Sequence, residues 1–216
     1  SLPPEFDDYG ANRDYSFEDY ARDGGAGLNT RRSESESYSV FLVTLASKYP
    51  FPDESDYTVV TYHEYFHVVQ HAHIDTRDEA ERQELMVRNP WWSEGGAEYM
   101  AQLLYARQPG VSDTYLKDRM AWKMETQSML EEGERFTDIP YGERAQIAYD
   151  LGTWFVAFLV DRAGEEAFRV GFYDDLNTLG FEGAFVENFG SSSADLLDEF
   201  EDFLDLSIEE QLSIIP

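Results

Sequence analysis

The chain has 216 residues, of which 42% are hydrophobic and 15% aromatic, so it can bury the core of a domain and is too apolar to be mainly disordered. Its formal charge of −28 argues against binding to nucleic acids or to anionic membrane surfaces, since both select for lysine and arginine. The chain contains no cysteine, which excludes disulfides and thiolate metal sites.

The first part of the chain is predicted to contain a polar segment followed by a strand. Residues 1–37 carry paired prolines, a glycine cluster and a run of serine and glutamate, which together predict a loop with short ordered pieces. Residues 38–46 are β-branched and aromatic, which favours a strand that is ended by Pro50 and Pro52. The prediction is therefore a small N-terminal β-sheet.

The remaining elements are predicted to be helices. A buried helix is expected over residues 56–73, with Asp53 or Ser55 as its N-cap. The charged residues 75–89 suit a short exposed helix or a loop. Further helices are predicted over residues 91–107, 112–131, 143–162, 164–173 and 193–205. The predicted fold class is α+β and predominantly α-helical.

These elements divide the chain into an N-terminal segment (1–37), one domain (38–205) and a C-terminal tail (206–216). The longest strictly apolar run, residues 154–160, is far shorter than the ~20 residues that cross a bilayer, so no membrane span is predicted. The chain starts at Ser1 without methionine and is strongly charged, which favours a secreted or cell-surface protein. The sequence does not indicate an oligomeric state.

Residues 63–67 form an H-E-x-x-H motif in the first predicted helix. Because an α-helix turns about 100° and rises about 1.5 Å per residue, His63 and His67 should lie about 40° apart in azimuth and about 6 Å apart along the axis. Both rings can then reach one zinc ion, and Glu64 lies beside them to take a proton from the attacking water. The motif alone also suits a buried helix whose histidines pair with carboxylates or carbonyls.

A catalytic zinc needs a third protein ligand and an open fourth position, and the sequence offers three candidates. His71 lies about 12 Å from His63 along the helix axis, too far to share an ion. His73 stands where metzincins place a third histidine, but Gln70 replaces the glycine that lets the metzincin chain turn. A metzincin-like peptidase that uses His73 as its third ligand remains an alternative.

Glu94 is the third ligand that the sequence favours, in a second predicted helix that begins at the tryptophan pair 91–92. Glu98 follows one turn later on the same face, where it is predicted to receive the N–H of a zinc-bound histidine and so fix its tautomer. The small residues 95–97 are expected to let this helix approach the first one closely. The aromatic neighbours argue against two solvated glutamates on an acidic surface.

Together these residues resemble the gluzincin zinc metallopeptidases, the peptidase MA-like group related to the aminopeptidase and thermolysin branches. The resemblance covers roughly residues 38–205 and rests on residues 63–70, 91–99 and 147–152, and on residues 189–191 before the last helix. It implies a zincin-like catalytic domain whose edge strand, residues 38–45, binds an extended peptide. It further implies Zn2+ as the cofactor, with Glu64 as general base and with the ligands His63, His67 and Glu94.

Tyr149, in the third stretch, matches the tyrosine that helps to stabilise the oxyanion in the aminopeptidase branch. Residues 25–29 lack the glutamate with which that branch holds a free substrate amine, so the choice between endopeptidase and exopeptidase stays open. The expected activity is zinc-dependent hydrolysis of peptide bonds in peptide or protein substrates. The alternatives are a zinc-binding or peptide-binding module of the same fold without turnover, and an acidic helical interaction domain without metal.

Overall fold

The computed structural model describes residues 26–32, 37–43, 54 and 57–216. Strands β1 (Ala26–Arg32) and β2 (Ser37–Val43) pair antiparallel, with Ala26 opposite Val43. From residue 57 onward the chain forms helices, turns and loops. The α-helices are α1 (Tyr57–Ala72), α2 (Glu79–Met86), α3 (Pro90–Ala106), α4 (Tyr115–Met124), α5 (Ala145–Ala163), α6 (Phe172–Phe189), α7 (Ser193–Leu204) and α8 (Ile208–Gln211). Shorter 3₁₀ and π segments are Glu125–Met129, Phe136–Asp138, Ala167–Gly171 and Leu212–Ile214.

The fold is all-α, and the predicted α+β class with a small N-terminal sheet is wrong. The buried hydrophobic cluster lies between residues 66 and 215, where the described chain contains no strand. β1 and β2 form only a two-stranded pair, which is too small to make a layer of the core. The composition of residues 38–46 favours extended backbone, but composition does not show how many strands will pair.

Some of the sequence-based predictions concern the first part of the chain, where the description is incomplete. The predicted N-caps Asp53 and Ser55, the prolines Pro50 and Pro52, and residues 1–25 lie outside the described residues. Residues 26–32 belong to the segment that was predicted as loop with short ordered pieces, and they form β1. Helix α1 is therefore described from Tyr57 onward without a statement about how it is capped.

Local sequence signals explain several helix ends. Asp78 precedes α2 and Ser192 precedes α7, and each side chain accepts a backbone N–H of the first turn, at 2.9 and 3.1 Å respectively. Pro90 occupies the first position of α3, where its missing N–H costs no helical hydrogen bond. Helix α6 ends at Gly190, whose φ of +82° is a left-handed conformation that glycine adopts without strain. These signals fix the elements that surround the site.

The helix predictions agree with the structure for α3, α5 and α7 to within a few residues. The helix predicted over residues 112–131 is shorter, because α4 passes into a 3₁₀ segment at Glu125. Most of α6 was missed, since Gly180, with φ at +69°, interrupts its helical pattern. In agreement with the prediction, no helix of the described chain has the length and apolarity needed to cross a membrane.

Helices α3 and α5 cross in direct backbone contact inside the core. A β-carbon at Gly95 would overlap the backbone of Gly152, and one at Gly152 would overlap the carbonyl of Trp91. Gly96 instead faces the ring of Phe168 and, at a slightly greater distance, the Gln70 side chain of α1. The close approach predicted between α3 and α1 therefore occurs mainly between α3 and α5. This contact fixes the helix of the predicted third ligand against the helix of the predicted oxyanion tyrosine.

Candidate metal centre

Helices α1 and α3 bring His63, His67 and Glu94 together. Oε2 of Glu94 lies 3.2 Å from Nε2 of His63 and 3.1 Å from Nε2 of His67, and the two nitrogens lie 3.1 Å apart. Among the described residues, these three side chains form the group of histidines and acids placed to hold a metal ion. Ligands bound tetrahedrally to zinc at 2.0–2.1 Å would lie about 3.3 Å from one another, close to the spacing seen here.

A buried glutamine fixes the tautomer of His67. Nε2 of Gln70 donates to the carbonyl oxygen of Ser93 and to the hydroxyl of Tyr173, both at 3.0 Å. Because a carbonyl oxygen only accepts, the amide orientation is determined, and Oε1 of Gln70 faces Nδ1 of His67 at 2.7 Å. Nδ1 must therefore carry the proton. In the neutral ring Nε2 is then an unprotonated lone pair directed at Glu94.

A buried carboxylate acts on His63 in the same way. Oε2 of Glu98 lies 3.1 Å from Nδ1 of His63, while Oε1 accepts from Lys123 at 2.7 Å and from Gln102 at 2.8 Å. Burial would raise the pKa of Glu98, but Lys123 and His63 hold that pKa well below its usual range. Glu98 is thus an ionised acceptor for the Nδ1 proton. The structure brings Glu98 to the position predicted from the sequence, and Nε2 of His63 is free to bind an ion.

Three atoms that can bind a metal therefore converge, namely Nε2 of each histidine ring and Oε2 of Glu94. Protonating both rings instead would place two positive N–H groups 3.1 Å apart, where they repel strongly. Burial lowers the pKa of His63, yet Glu94 and Glu98 raise that pKa well above its usual value, so the surroundings favour a positive charge at this point. Two imidazole nitrogens and one carboxylate oxygen are a donor set that suits zinc.

The second oxygen of Glu94 is held by a tyrosine that the sequence did not single out. The hydroxyl of Tyr141 donates to Oε1 of Glu94 at 2.8 Å and lies 3.4 Å from Oγ of Ser93. Tyr141 follows Pro140 in the loop before α5, and its side chain is 54% exposed. This hydrogen bond turns Oε2 of Glu94 toward the two rings.

Glu64 lies beside the three candidate ligands and outside their triangle. Its side chain is buried, and Oε2 has no hydrogen-bond partner in the described part of the chain. Burial raises the pKa of Glu64, although the nearby His63 and His67 oppose the shift. A buried carboxylate oxygen without a partner in the described chain, beside the candidate metal site and lining the same cavity, is placed to exchange protons with a bound molecule.

Tyr149 of α5 lies on the other side of the same site. Its ring stacks nearly parallel to that of His63, with centroids 6.4 Å apart, and it lines the cavity that contains the three ligands. Burial raises the pKa of Tyr149, and the charge of Glu94 raises that pKa further, so the phenol keeps its proton. The structure thus places the predicted oxyanion donor next to the metal centre.

The two other histidines are not part of the ligand group. Nδ1 of His73 lies 3.3 Å from a carboxylate oxygen of Asp174, and His73 is not among the residues that line the cavity. Nδ1 of His71 lies 2.8 Å from a guanidinium nitrogen of Arg82. The structure therefore does not form the metzincin-like arrangement, in which His73 would have completed the site.

The candidate metal centre opens into a cavity of about 790 Å³, within the range typical of small-molecule and cofactor sites. One wall is formed by α1 and another by the end of α2 and the connection to α3. The remaining wall carries the two tyrosines and Gln146 of α5. A molecule in this cavity would contact the candidate ligands and Glu64 at once.

Replacing Gln70 with leucine is expected to weaken zinc binding by about 10- to 100-fold, because His67 loses the acceptor that orients its ring. The measurement is a competition titration against a chromogenic zinc chelator. Tyr173→Phe is the matched control, since it removes a different hydrogen bond of Gln70 and leaves the one to His67. Equal losses of affinity in both variants would show that Gln70 acts through folding alone.

Comparison of the chain with protein-family models, with curated proteins and with solved structures gave no match. The interpretation of the site therefore rests on its own geometry. That geometry consists of the triangle of donor atoms, the hydrogen bonds that fix both histidine tautomers, and a buried glutamate beside them.

Proposed function

We propose that the protein is a zinc-dependent peptidase of the gluzincin type. The observation that carries the proposal is the convergence of two tautomer-fixed Nε2 atoms and one carboxylate oxygen beside the unpartnered oxygen of Glu64. In the described chain the group has three protein ligands and no fourth. Three ligands with an open position are typical of catalytic zinc, whereas structural zinc takes four.

The residues of the chain divide the chemistry among them. Zinc, when bound, supplies a Lewis acid that polarises a carbonyl and acidifies water. Glu64 takes a proton from the attacking water and passes it to the leaving amine. Tyr149 donates its O–H to the oxygen on which negative charge develops. The hydroxyl of Tyr141 donates to Oε1 of Glu94, so this carboxylate oxygen does not take part in the proton transfer.

Peptide bonds are the proposed substrate for two reasons. The stretches 63–70 and 91–99 resemble those of gluzincin peptidases, and they contain all three ligands and the proposed base. The cavity is open and is lined by residues of helices α1 to α5 and by Ala26 of β1, which suits a chain segment better than an enclosed small molecule. The proposal leaves the choice between endopeptidase and exopeptidase to experiment.

The first experiment combines metal analysis with a cleavage assay. Purified protein, stripped with a chelator and reloaded, is expected to bind one zinc per chain and to cleave peptides from a mixed library only when zinc is present. The reason is that the base and the oxyanion donor act on a substrate that zinc positions and polarises. Cleavage products are identified by mass spectrometry.

Two outcomes would contradict the proposal in different ways. A protein that binds zinc tightly and cleaves no peptide would be a binding module without turnover. A protein that binds no zinc, and whose His67→Ala variant folds and behaves like the parent, would be a helical interaction domain. A histidine-to-alanine control outside the cavity, His73→Ala, should not affect zinc binding in either case.

A further inference from the structure

Among the described residues, one arginine without an acidic partner lines the cavity. Arg88 is exposed, sits in the connection between α2 and α3, and lines the same cavity as the three candidate ligands. No residue of the described chain forms an ion pair or hydrogen bond with its guanidinium. The only lysine of the cavity lining, Lys123, is buried and paired with Glu98 and Asp150. Arg88 is therefore the basic side chain of the cavity that is available to a bound molecule.

This lack of a partner is informative in so acidic a chain. The protein has 44 acidic and 16 basic residues, and six arginines of the region 57–216 form ion pairs with carboxylates. Arg82 is buried and donates to backbone carbonyls. Within that region only Arg77 resembles Arg88 in being exposed without a described partner, and Arg77 does not line the cavity.

The backbone beside Arg88 is strained and held on both sides. Val87 has φ at +62°, an outlier for a β-branched residue, and its N–H donates to the carbonyl of Glu84 at 3.2 Å. On the other side of Arg88, the side-chain amide of Asn89 donates to the backbone carbonyl of Thr137 at 2.7 Å. Strained backbone persists where the surroundings enforce it, and such residues cluster at ligand sites. In this protein, the strained residue Val87 and its neighbour Arg88 both border the cavity.

We propose that Arg88 binds a carboxylate of the peptide substrate, so that the enzyme selects peptides carrying a carboxylate near the scissile bond. The planar guanidinium can grip a carboxylate through two parallel hydrogen bonds. Three of the four acids that line the cavity are held by other groups, since Glu54 pairs with Arg119, Glu94 with the two histidines and Glu98 with Lys123. The fourth, Glu64, forms no ion pair with Arg88 in the described chain. This inference rests on the proposed peptidase function, and it names the substrate class of that site.

A carboxylate can come from an acidic side chain or from the C-terminus of the substrate, and the experiment separates the two. Peptide pairs differ by one Glu-to-Gln exchange at successive positions around the cleaved bond, and each is made with a free or an amidated C-terminus. The zinc-loaded protein is expected to prefer the carboxylate form at one location by about tenfold or more in kcat/KM. Arg88→Gln should abolish this preference, and Arg88→Lys should keep part of it.

Arg77→Gln is the matched control, because it removes the same charge outside the cavity and should keep the full preference. A binding arm makes the test independent of turnover: dissociation constants of the same peptides are measured on zinc-loaded Glu64→Gln, with and without Arg88→Gln. A protein that cleaves peptides but shows no carboxylate preference, or keeps it in Arg88→Gln, overturns this inference alone. If no peptide is cleaved, the peptidase proposal fails. In the binding arm, equal dissociation constants for the acid and amide forms of the peptides would overturn the role of Arg88 as well.

Discussion

Replacing Glu64 with glutamine is expected to lower kcat by about 10²- to 10⁴-fold while leaving one zinc bound per chain. The amide has the shape of the carboxylate but cannot take a proton from the attacking water. Glu64 is not one of the three converging ligands, so the metal should stay in place. Its Oε2 has no partner in the described chain, so the exchange breaks no hydrogen bond at that atom.

The measurement pairs steady-state kinetics on a cleaved peptide with zinc analysis of the same preparation. Glu187→Gln is the matched control, because Glu187 is an exposed residue of α6 that does not line the cavity. That control should keep the parent rate. If Glu64→Gln retains zinc and cleaves at the parent rate, another group must be the base. If it loses zinc, Glu64 has a part in metal binding that the geometry does not indicate.

The candidate ligands could be predicted from the sequence because two of them depend only on helical geometry. His63 and His67 are one turn apart on α1, and any helix over that stretch places their rings together. The third, Glu94, needed a second motif, since nothing in the spacing alone says that α3 packs against α1. The aromatic residues around it indicated a buried helix, and the structure buries residues 90–93 and 95–103.

Apart from Glu98, which its helical spacing from Glu94 predicted, the residues that support the ligands were not predicted, because tertiary packing brings them to the site. Tyr141 reaches Glu94 from a loop 47 positions further along the chain, and Lys123 reaches Glu98 from α4. Neither lies at a fixed helical spacing from its partner. Gln70 is different, since it lies three positions after His67 on the same helix. Such i,i+3 neighbours share a helix face, so this contact could have been recognised.

The fold class was wrong for a related reason. Strand propensity in residues 38–46 is a local property, whereas a sheet requires partners from elsewhere in the chain. In the same way, three small residues on α3 showed that some helix would pack closely, but they did not show which one. In the structure, Gly95 packs against Gly152 of α5. No pattern of side chains in the sequence predicts this contact between backbones.

Replacing Lys123 with methionine is expected to lower the free energy of unfolding by about 3–5 kcal/mol. The lysine side chain is 1% exposed, and its Nζ lies 2.7 Å from Glu98 and 3.0 Å from Asp150. Methionine retains much of the bulk but removes the positive charge that the two buried carboxylates share. Glu98 keeps His63 and Gln102, whereas Asp150 keeps only the neutral donor Gln146 and its Oδ2 has no partner in the described chain.

The loss of stability in Lys123→Met should depend on pH. Burial raises the pKa of Asp150 above its usual value, and Lys123 opposes that rise. In Lys123→Met the lysine charge no longer opposes this rise. The pKa of Asp150 in the folded state therefore lies further above its value in the unfolded chain. The folded variant then binds more protons than the unfolded one, and its stability increases as the pH falls. The difference from the parent is therefore expected to be smaller at pH 5 than at pH 8.

Urea unfolding in the presence of a chelator measures the deficit without the contribution of bound metal. Lys117→Met is the matched control: it lies on the same helix and is exposed, so it should change stability by less than about 0.5 kcal/mol. Adding Asp150→Asn to Lys123→Met removes one uncompensated charge and should recover part of the loss. An unchanged urea midpoint in Lys123→Met would mean that the buried ion pairs contribute no net stability. In that case Glu98 would keep its position beside His63 through Gln102 alone.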